Sequence, residues 1–249
     1  MTAPFPPIEP RGGSALWANY LRAGIGAADA HPGSAGEVVG VGGRLDPLSV
    51  LTAYRLGVFP MGLGEGGGPP MGWWSPRWRG VLLPGRAHVS RSLRRSLRRF
   101  TVTVDQSFRE VVAACADPGR EGAWISAAVA EAYAELHDLG WAHSVEVREA
   151  GGALVGGLYG LGVGGLFAGE SMFHHATDAS KVALVHLDRI IAADGDERRI
   201  IDVQWRTPHL GTLGIEEVHR REYLTRLSAA LEAPSIDFGR AAPGEPPRT

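Results

Sequence analysis

Two stretches of this chain hold residue types from which acid–base and positioning chemistry could be built. The first is LFAGESMFHHATDASKVALVHL, residues 166–187. It reads as a strand, a short polar loop and a helix. Alternation along the strand predicts Glu170 and Met172 on one face, with Ser171 on the other. The helix opens with Asp178, Ser180 and Lys181, and Lys181 is the only lysine of the sequence. A cation in the first turn of a helix opposes the helix dipole. Either a biased composition has left one lysine behind, or a compact ammonium meets an anion at that helix start in a way arginine would not reproduce. The second stretch is Asp202-Val203-Gln204 within RIIDVQW, residues 199–205. A strand would place Asp202 and Gln204 on one face. A carboxylate beside an amide can accept a proton from an amine and orient it; a hydrogen-bonded structural pair accounts for the same spacing equally well.

Basic and aromatic residues point to a polyanion. Arg91, Arg94, Arg95, Arg98 and Arg99 recur at helical spacing and fall on one face, opposite Leu93, Leu97 and Phe100. Charge runs are most often solvated faces. The lack of interleaved acids here favours a nucleic-acid contact over that reading, with a membrane surface the weaker alternative. Trp73, Trp74, Trp78 and Trp124 lie near predicted loops. Each one alone is more simply a packing plug, but a cluster beside a basic helix suits unstacked bases of single-stranded RNA. Gly160, Gly162 and Gly165 match GxGxxG, yet a strand follows instead of a helix, so no dinucleotide site is expected. They instead allow a close approach to the backbone. His174-His175 lacks the i, i+4 spacing and companion acid of a helical zinc site, so no metal is expected.

The elements that must position these residues follow from punctuation and periodicity. The chain has 249 residues, 44% of them hydrophobic, a formal net charge of -2 and one cysteine, Cys115. That composition is globular, and it excludes an internal disulfide and a cysteine zinc site. The first residues lack the charged-then-apolar pattern of a signal peptide, and no apolar run is long enough for a bilayer span, so a soluble, cytoplasmic protein is expected. Residues 1–13 and 235–249 read as disordered tails, 14–86 as a small N-terminal domain and 87–234 as a larger domain. Asp46 and Pro47 open a helix that Gly57 ends. Six glycines and two prolines in MGLGEGGGPPMG, residues 61–72, predict an irregular, mobile loop. Beyond it come a helix in SRSLRRSLRRF, a strand in TVTVD and a helix over 126–139. HSVEVRE and ALVGGLYGLGVGG form a hairpin across Gly151-Gly152. The 166–173 strand, a helix over 178–193, the RIIDVQW strand and a helix over 216–231 complete the chain. Hairpins mixed with helices predict an α+β fold with a mixed sheet.

Nine of these segments stand in an order that resembles the leucyl/phenylalanyl-tRNA–protein transferase family. They are YRLGVFP (54–60), WWSP (73–76), HVSRSLRR (88–95), EGAWI (121–125), HSVEV (143–147), LVGGLYG (154–160), LFAGESMF (166–173), ASKVAL (179–184) and IDVQ (201–204). The resemblance spans roughly residues 36–230. It implies a small N-terminal domain and a C-terminal domain with the acetyltransferase-like (GNAT) fold. It also implies transfer of leucine, phenylalanine or methionine from aminoacyl-tRNA to proteins beginning with Arg or Lys, as a degradation signal. Neither a metal nor coenzyme A is implied, and the Arg/Gln-x-x-Gly-x-Gly loop of coenzyme A enzymes is absent. A coenzyme A-dependent acyltransferase of the same fold and a non-catalytic RNA-binding protein are the other readings; the latter leaves Glu170, Asp202 and Gln204 unexplained.

Matched motif by motif, the resemblance implies an aminoacyl pocket of Leu158, Phe167 and Met172, with Trp124 stacking on the terminal adenine of the tRNA. Glu170 and Gln204 would position the aminoacyl ester, and Asp202 would accept the amine proton. The family's FPW reads Phe59-Pro60-Met61 here, so Met61 replaces a stacking tryptophan, and Trp73 or Trp74 across the glycine-rich loop would substitute. Lys181 would meet a phosphate near the tRNA end. The reaction is aminolysis of an activated ester, so positioning dominates. An N-terminal amine, with pKa near 7.7–8.0, is partly neutral at pH 7. Asp202 as base would need burial or a relay; the rival account is transfer assisted by the tRNA's own hydroxyl.

Overall fold

The computed structural model describes residues 37–120 and 122–240. The expected N-terminal tail, and residues 14–36 of the first region, lie outside the described residues. Strand β1 (Val38–Val41) leads into helix α1 (Pro47–Arg55). The Asp46 carboxylate caps α1, accepting the Ser49 N–H at 3.0 Å, with Pro47 in the first turn and Gly57 at φ +75° after the end. Strands β2 (Phe59–Gly62) and β3 (Met71–Trp74) form an antiparallel hairpin, and β1 completes a three-stranded sheet in the order β1-β3-β2.

The glycine-rich segment is irregular over residues 63–70, as its composition predicts, but its two ends are paired strand. Met61, Gly62, Met71 and Gly72 are in register as strand residues. A Cβ on Gly62 would lie 1.9 Å from the Gly67 carbonyl oxygen, and one on Gly67 would lie 1.7 Å from that of Trp124. Glycine lets the hairpin close on itself and on the Trp124 backbone, a tertiary contact that composition does not reveal.

The larger sheet holds seven strands in the order β10-β4-β9-β8-β7-β6-β5. They are β4 (Trp78–Leu82), β5 (Thr101–Val104), β6 (Ala142–Arg148), β7 (Leu154–Val163), β8 (Leu166–His174), β9 (Ile200–Asp202) and β10 (Glu216–His219). All neighbours are antiparallel except β8 and β9. Helix α5 (Ala179–Ala192) connects that parallel pair, as a parallel connection requires. The remaining helices are α2 (Arg91–Ser96), α3 (Phe108–Cys115), α4 (Ala127–Asp138), α6 (Pro208–Gly211) and α7 (Arg220–Glu232). The mixed α+β class agrees with the sequence reading.

Four local expectations change. Strand β4, placed by sequence within the first region ending at Arg86, belongs to the large sheet between β9 and β10. Glu216–His219, expected as the start of a helix, is the edge strand beside β4, because sheet pairing overrides the helical preference of Glu216-Glu217. Helix α2 ends at Ser96, so Arg98 and Arg99 lie in the turn beyond it. The expected tail from residue 235 is folded at its start: Ile236 is buried, and the Phe238 ring stacks on His143 with centroids 3.8 Å apart. No helix among the described residues is long and apolar enough to cross a membrane.

Each face of the large sheet carries a core. Tyr159, Leu166, Ala168 and Ile200 point to one, with Tyr54, Tyr133 and Tyr223. Leu158, Phe167 and Ile201 point to the other, against α5. Alternation along β7, β8 and β9 produces this division.

Candidate active site

Strands β8 and β9 pair over only Leu166–Ile200, Phe167–Ile201 and Ala168–Asp202. Strand β9 stops there while β8 continues to His174, so among the described residues no strand pairs with β8 on that side from Gly169 onward. The residues that sequence reasoning placed at the chemistry border this gap. Tyr159 pairs with Ser171 and Gly160 with Gly169, so Glu170 is the extra residue of a β-bulge. The bulge shifts the alternation. Glu170 and Met172, expected on one face, lie on opposite faces: Glu170 meets Tyr54 of the first core, whereas Met172 packs against the second.

Glu170 is 8% exposed. The Tyr54 hydroxyl donates to its Oε1 at 2.6 Å and lies 2.6 Å from the Tyr133 hydroxyl. Tyr159 also bears on it, and its own hydroxyl is buried without a hydrogen-bond partner among the described residues. Burial pushes the Glu170 carboxyl up to about 7; the tyrosine hydrogen bonds oppose the rise and the Asp202 charge adds to it. Burial first, then the Glu170 charge, holds the phenols of Tyr54, Tyr133 and Tyr159 well above their ordinary range, so all three are neutral at pH 7.

Asp202 is fully buried and has four donors. Arg79 donates through Nε at 2.8 Å and Nη2 at 2.6 Å, the Tyr223 hydroxyl at 2.7 Å and the Gln204 backbone N–H at 2.9 Å. The register explains the Arg79 pair: Val81 faces Asp202 across the β4–β9 ladder, so Arg79, two residues earlier, sits diagonally on the same face within reach of a long side chain. Burial works against the Arg79 charge, but Asp202 outweighs it and holds the guanidinium above its ordinary pKa. Arg79 also lies over the rings of Phe59 and Tyr223, at 4.7 and 4.6 Å. A carboxylate has about four lone-pair sites, and all are taken here. Asp202 therefore has no acceptor site left free for an amine proton in this arrangement.

Strand β9 ends at Asp202, so Gln204 is not its alternate-face neighbour as expected. Gln204 takes φ +58°, a left-handed conformation a side chain adopts only when its surroundings hold it there. Its backbone is pinned by Asp202 and by the Gly80 N–H, which donates to the Gln204 carbonyl at 3.0 Å. A Cβ on Gly80 would come within 2.9 Å of Trp205 and Arg206, so glycine is what lets this turn lie on β4. The Gln204 Nε2 is buried and has no hydrogen-bond partner among the described residues.

The other expected residues divide. Leu158 faces Met172 across β7–β8, and Phe167 shares their core, lying over Gly160. These three form one apolar group, on the face opposite Glu170. Trp124 is half-buried against the glycine hairpin. Met61 is half-buried beside Trp74, whose Nε1 donates to the Met61 carbonyl at 2.9 Å. Trp74 meets Trp205 edge-on at 5.8 Å, and Trp205 meets Phe59 at 5.0 Å. Trp73 is 1% exposed and donates to the Gly42 carbonyl, so the expected base contact is corrected to a core plug. Trp78 is half exposed, edge-on to His219. Lys181 pairs with Asp178 at 2.8 Å, so its cation already has a protein anion. Asp178 does not cap α5: it adopts φ +68° and takes the Ser96 hydroxyl at 2.9 Å as well. Arg91, Arg94, Arg95, Arg98 and Arg99 are all exposed, and Arg99 pairs with Glu149 at 2.9 Å, an acid distant in sequence. No group of three or more His, Cys, Asp or Glu side chains able to hold a metal occurs among the described residues. Sequence reasoning gave no role to Tyr54, Arg79, Tyr133, Tyr159, Trp205 or Tyr223, although Tyr54 stands in YRLGVFP, Tyr159 in LVGGLYG and Trp205 at the end of RIIDVQW.

An α+β enzyme of the group-transfer class is consistent with buried, partly unsatisfied polar groups bordering a gap in the central sheet. Comparison supplies the family. The family profile described as leucyl/phenylalanyl-tRNA protein transferase matches residues 81–228, and that of its N-terminal domain matches 43–77. The chain belongs to the leucyl/phenylalanyl-tRNA–protein transferase family. It is 48% identical over 199 residues to the protein of that name from Dechloromonas aromatica, covering 78% of this chain and 82% of the relative. It is equally identical over 204 residues to that of Anaeromyxobacter dehalogenans, covering 80% and 85%. A third, from Chromohalobacter salexigens, is 48% identical over 211 residues, covering 83% and 80%. The N-terminal match ends at residue 77, just before β4, and the second begins at residue 81, within it.

Proposed function

We propose that this protein transfers leucine, phenylalanine or methionine from aminoacyl-tRNA to the N-terminal amine of acceptor proteins beginning with Arg or Lys. It acts in the cytoplasm and marks those proteins for degradation. The observation that carries the reading is the match of both family profiles, in order, to a chain whose Glu170 and Gln204 border the unpaired edge of β8. Parting of two parallel strands at the centre of a mixed sheet supports a GNAT-like large domain, preceded by a small domain built on β1–β3.

The amine nitrogen attacks the ester carbonyl, the carbon–oxygen bond to the tRNA ribose breaks, and an amide forms. The ester is already activated, so orientation supplies most of what the protein must add. Gln204 offers an amide N–H without a partner among the described residues, from a turn held by Asp202 and Gly80 and suited to hold the ester carbonyl. Leu158, Phe167 and Met172 form an apolar cup that methionine can adjust to different side chains. Glu170 places a carboxyl where a cationic acceptor residue would approach. Asp202 holds the Gln204 turn and Arg79 in place. Trp124, Met61 and Trp74 flank the glycine hairpin and serve the tRNA end, with Trp74 and Trp205 supplying the aromatic surface Met61 lacks. Arg91, Arg94, Arg95 and Arg98 meet the tRNA backbone. Lys181, neutralised by Asp178, contributes less to it than an unpaired lysine would.

The test is incubation with radiolabelled leucyl-tRNA and two peptides, one beginning with Arg and one with Ala. Label moving only to the Arg peptide is the expected result. Tight tRNA binding without transfer would favour an RNA-binding protein and refute the reading.

A further inference from the structure

We propose that Glu170, held beside the gap by the Tyr54–Tyr133 hydroxyl pair, takes the proton of the attacking amine and passes it to the departing ribose oxygen. The inference rests on the transfer reaction read above and adds to it the identity of the proton carrier. The step balances without a co-reactant. Nitrogen forms a bond to the ester carbon and loses one proton; the ribose oxygen leaves that carbon and gains one. Glu170 ends in the state in which it began.

Three geometric observations lead there. Asp202, the other buried carboxylate, has all its acceptor sites filled, so it cannot serve. Glu170 sits in the bulge of β8, where the pairing with β9 has ended, and that bulge aims its carboxylate at the hydroxyl pair. The hydroxyl chain can run in either direction. With Glu170 ionised, Tyr133 donates to Tyr54 and Tyr54 to the carboxylate. With Glu170 protonated, the carboxyl donates to Tyr54 and Tyr54 to Tyr133, since each hydroxyl is both donor and acceptor. Both charge states are thus hydrogen-bonded, which a group that gains and loses a proton in each cycle requires. Tyr54 and Tyr133 are positioning residues in this scheme.

The ionisable groups bearing on Glu170 come from five elements. They are Tyr54 on α1, Tyr133 on α4, Tyr159 on β7, Arg79 on β4 and Asp202 on β9. Burial and Asp202 favour the neutral acid; the tyrosines' hydrogen bonds and Arg79 favour the anion, and the balance falls at about 7. A base poised near the working pH transfers protons most effectively.

The experiment is the pH dependence of kcat/KM, from pH 5.5 to 9, for leucine transfer from leucyl-tRNA to an Arg-initiated peptide. Wild type, Glu170→Gln, Tyr54→Phe and Tyr133→Phe are compared, with leucyl-tRNA affinity measured alongside. Glu170→Gln should lose roughly 10²–10⁴-fold in transfer at unchanged tRNA affinity. Tyr54→Phe removes a donor to the anion and should move the acidic limb upward by about one pH unit, so transfer falls roughly ten-fold at pH 6 and changes little at pH 9. The acceptor amine's own limb stays in place in every variant. A uniform loss at all pH values in Tyr54→Phe, or Glu170→Gln transferring within a few-fold of wild type, overturns the proposal. Infrared titration of the Glu170 carboxyl in the free protein is a second readout that needs no turnover. A midpoint near 7 that rises in Tyr54→Phe supports the proposal, and one near 4.5 refutes it. Absence of transfer by wild type at every pH would instead overturn the reaction itself, and this inference with it.

Discussion

Replacing Asp202 by Asn tests whether this carboxylate is a structural anchor or a base. The carboxylate accepts four hydrogen bonds, two from Arg79 and one each from Tyr223 and Gln204. Asparagine keeps one acceptor oxygen. With that oxygen facing Arg79 Nε and the Gln204 N–H, the new NH₂ faces Arg79 Nη2 and the Tyr223 hydroxyl. The phenol can turn and accept, but a guanidinium has no acceptor. One charge-assisted bond is lost and Arg79, 1% exposed, loses its hydrogen-bonded counter-charge. Breaking one side of a buried ion pair costs about 3–5 kcal/mol. Against a total stability of roughly 5–15 kcal/mol, that leaves a marginal protein. Urea unfolding followed by tryptophan fluorescence should show the midpoint falling by roughly 1–3 M, taking a slope of about 2 kcal/mol/M. The double change Asp202→Leu with Arg79→Met should recover part of the loss, because replacing a whole buried pair by apolar groups is far less costly than halving it. Transfer per folded molecule should fall less than about ten-fold in Asp202→Asn, whereas loss of a general base costs roughly 10²–10⁴-fold. A stability loss below about 1 kcal/mol, or a thousand-fold drop in turnover by a fully folded variant, would refute the anchor assignment.

Further consequences can be measured separately. Glu170 titrates higher in the folded chain than its ordinary value of 4.5, so the folded state holds the extra proton between pH 4.5 and about 7. The Glu170 contribution to stability is therefore fully present below that window and is lost as pH rises through it, by roughly 3 kcal/mol relative to Glu170→Gln; equal pH slopes for the two proteins would contradict the burial effect. Gly67→Ala meets the Trp124 carbonyl oxygen at 1.7 Å from a backbone at φ +74°. It should lower the unfolding temperature and weaken aminoacyl-tRNA binding together, and unchanged values for both would show that the hairpin does not seat on Trp124. Neutralising Arg91, Arg94 and Arg95 should reduce the slope of log binding constant against log salt by about 2–3, if each meets one tRNA phosphate. Asp178→Asn frees Lys181 from its 2.8 Å partner and should tighten low-salt tRNA binding several-fold; no change would place Lys181 away from the RNA.

The sequence by itself determined the elements whose signals are local. Helix α1 was legible from Asp46, Pro47 and Gly57, and the β6–β7 hairpin from Gly151-Gly152, because caps and turns depend on residues a few positions apart. Ordered motifs also pointed to the family, to Glu170 and Gln204, and to the apolar trio of Leu158, Phe167 and Met172. What stayed hidden depended on partners distant in the chain. The β8 bulge separates Glu170 from Met172 across the sheet, and register shifts leave no mark in local alternation. The glycines of residues 61–72 read only as an irregular loop; that Gly67 packs on the backbone of Trp124, more than fifty residues on, is visible only in the fold. Asp202 reads equally as a base or a structural group, and only folding brings Arg79, 123 positions away in sequence, to its oxygens. A residue type states which protons a side chain can hold; only the tertiary structure decides its burial and its neighbours, and those fix which protons it does hold.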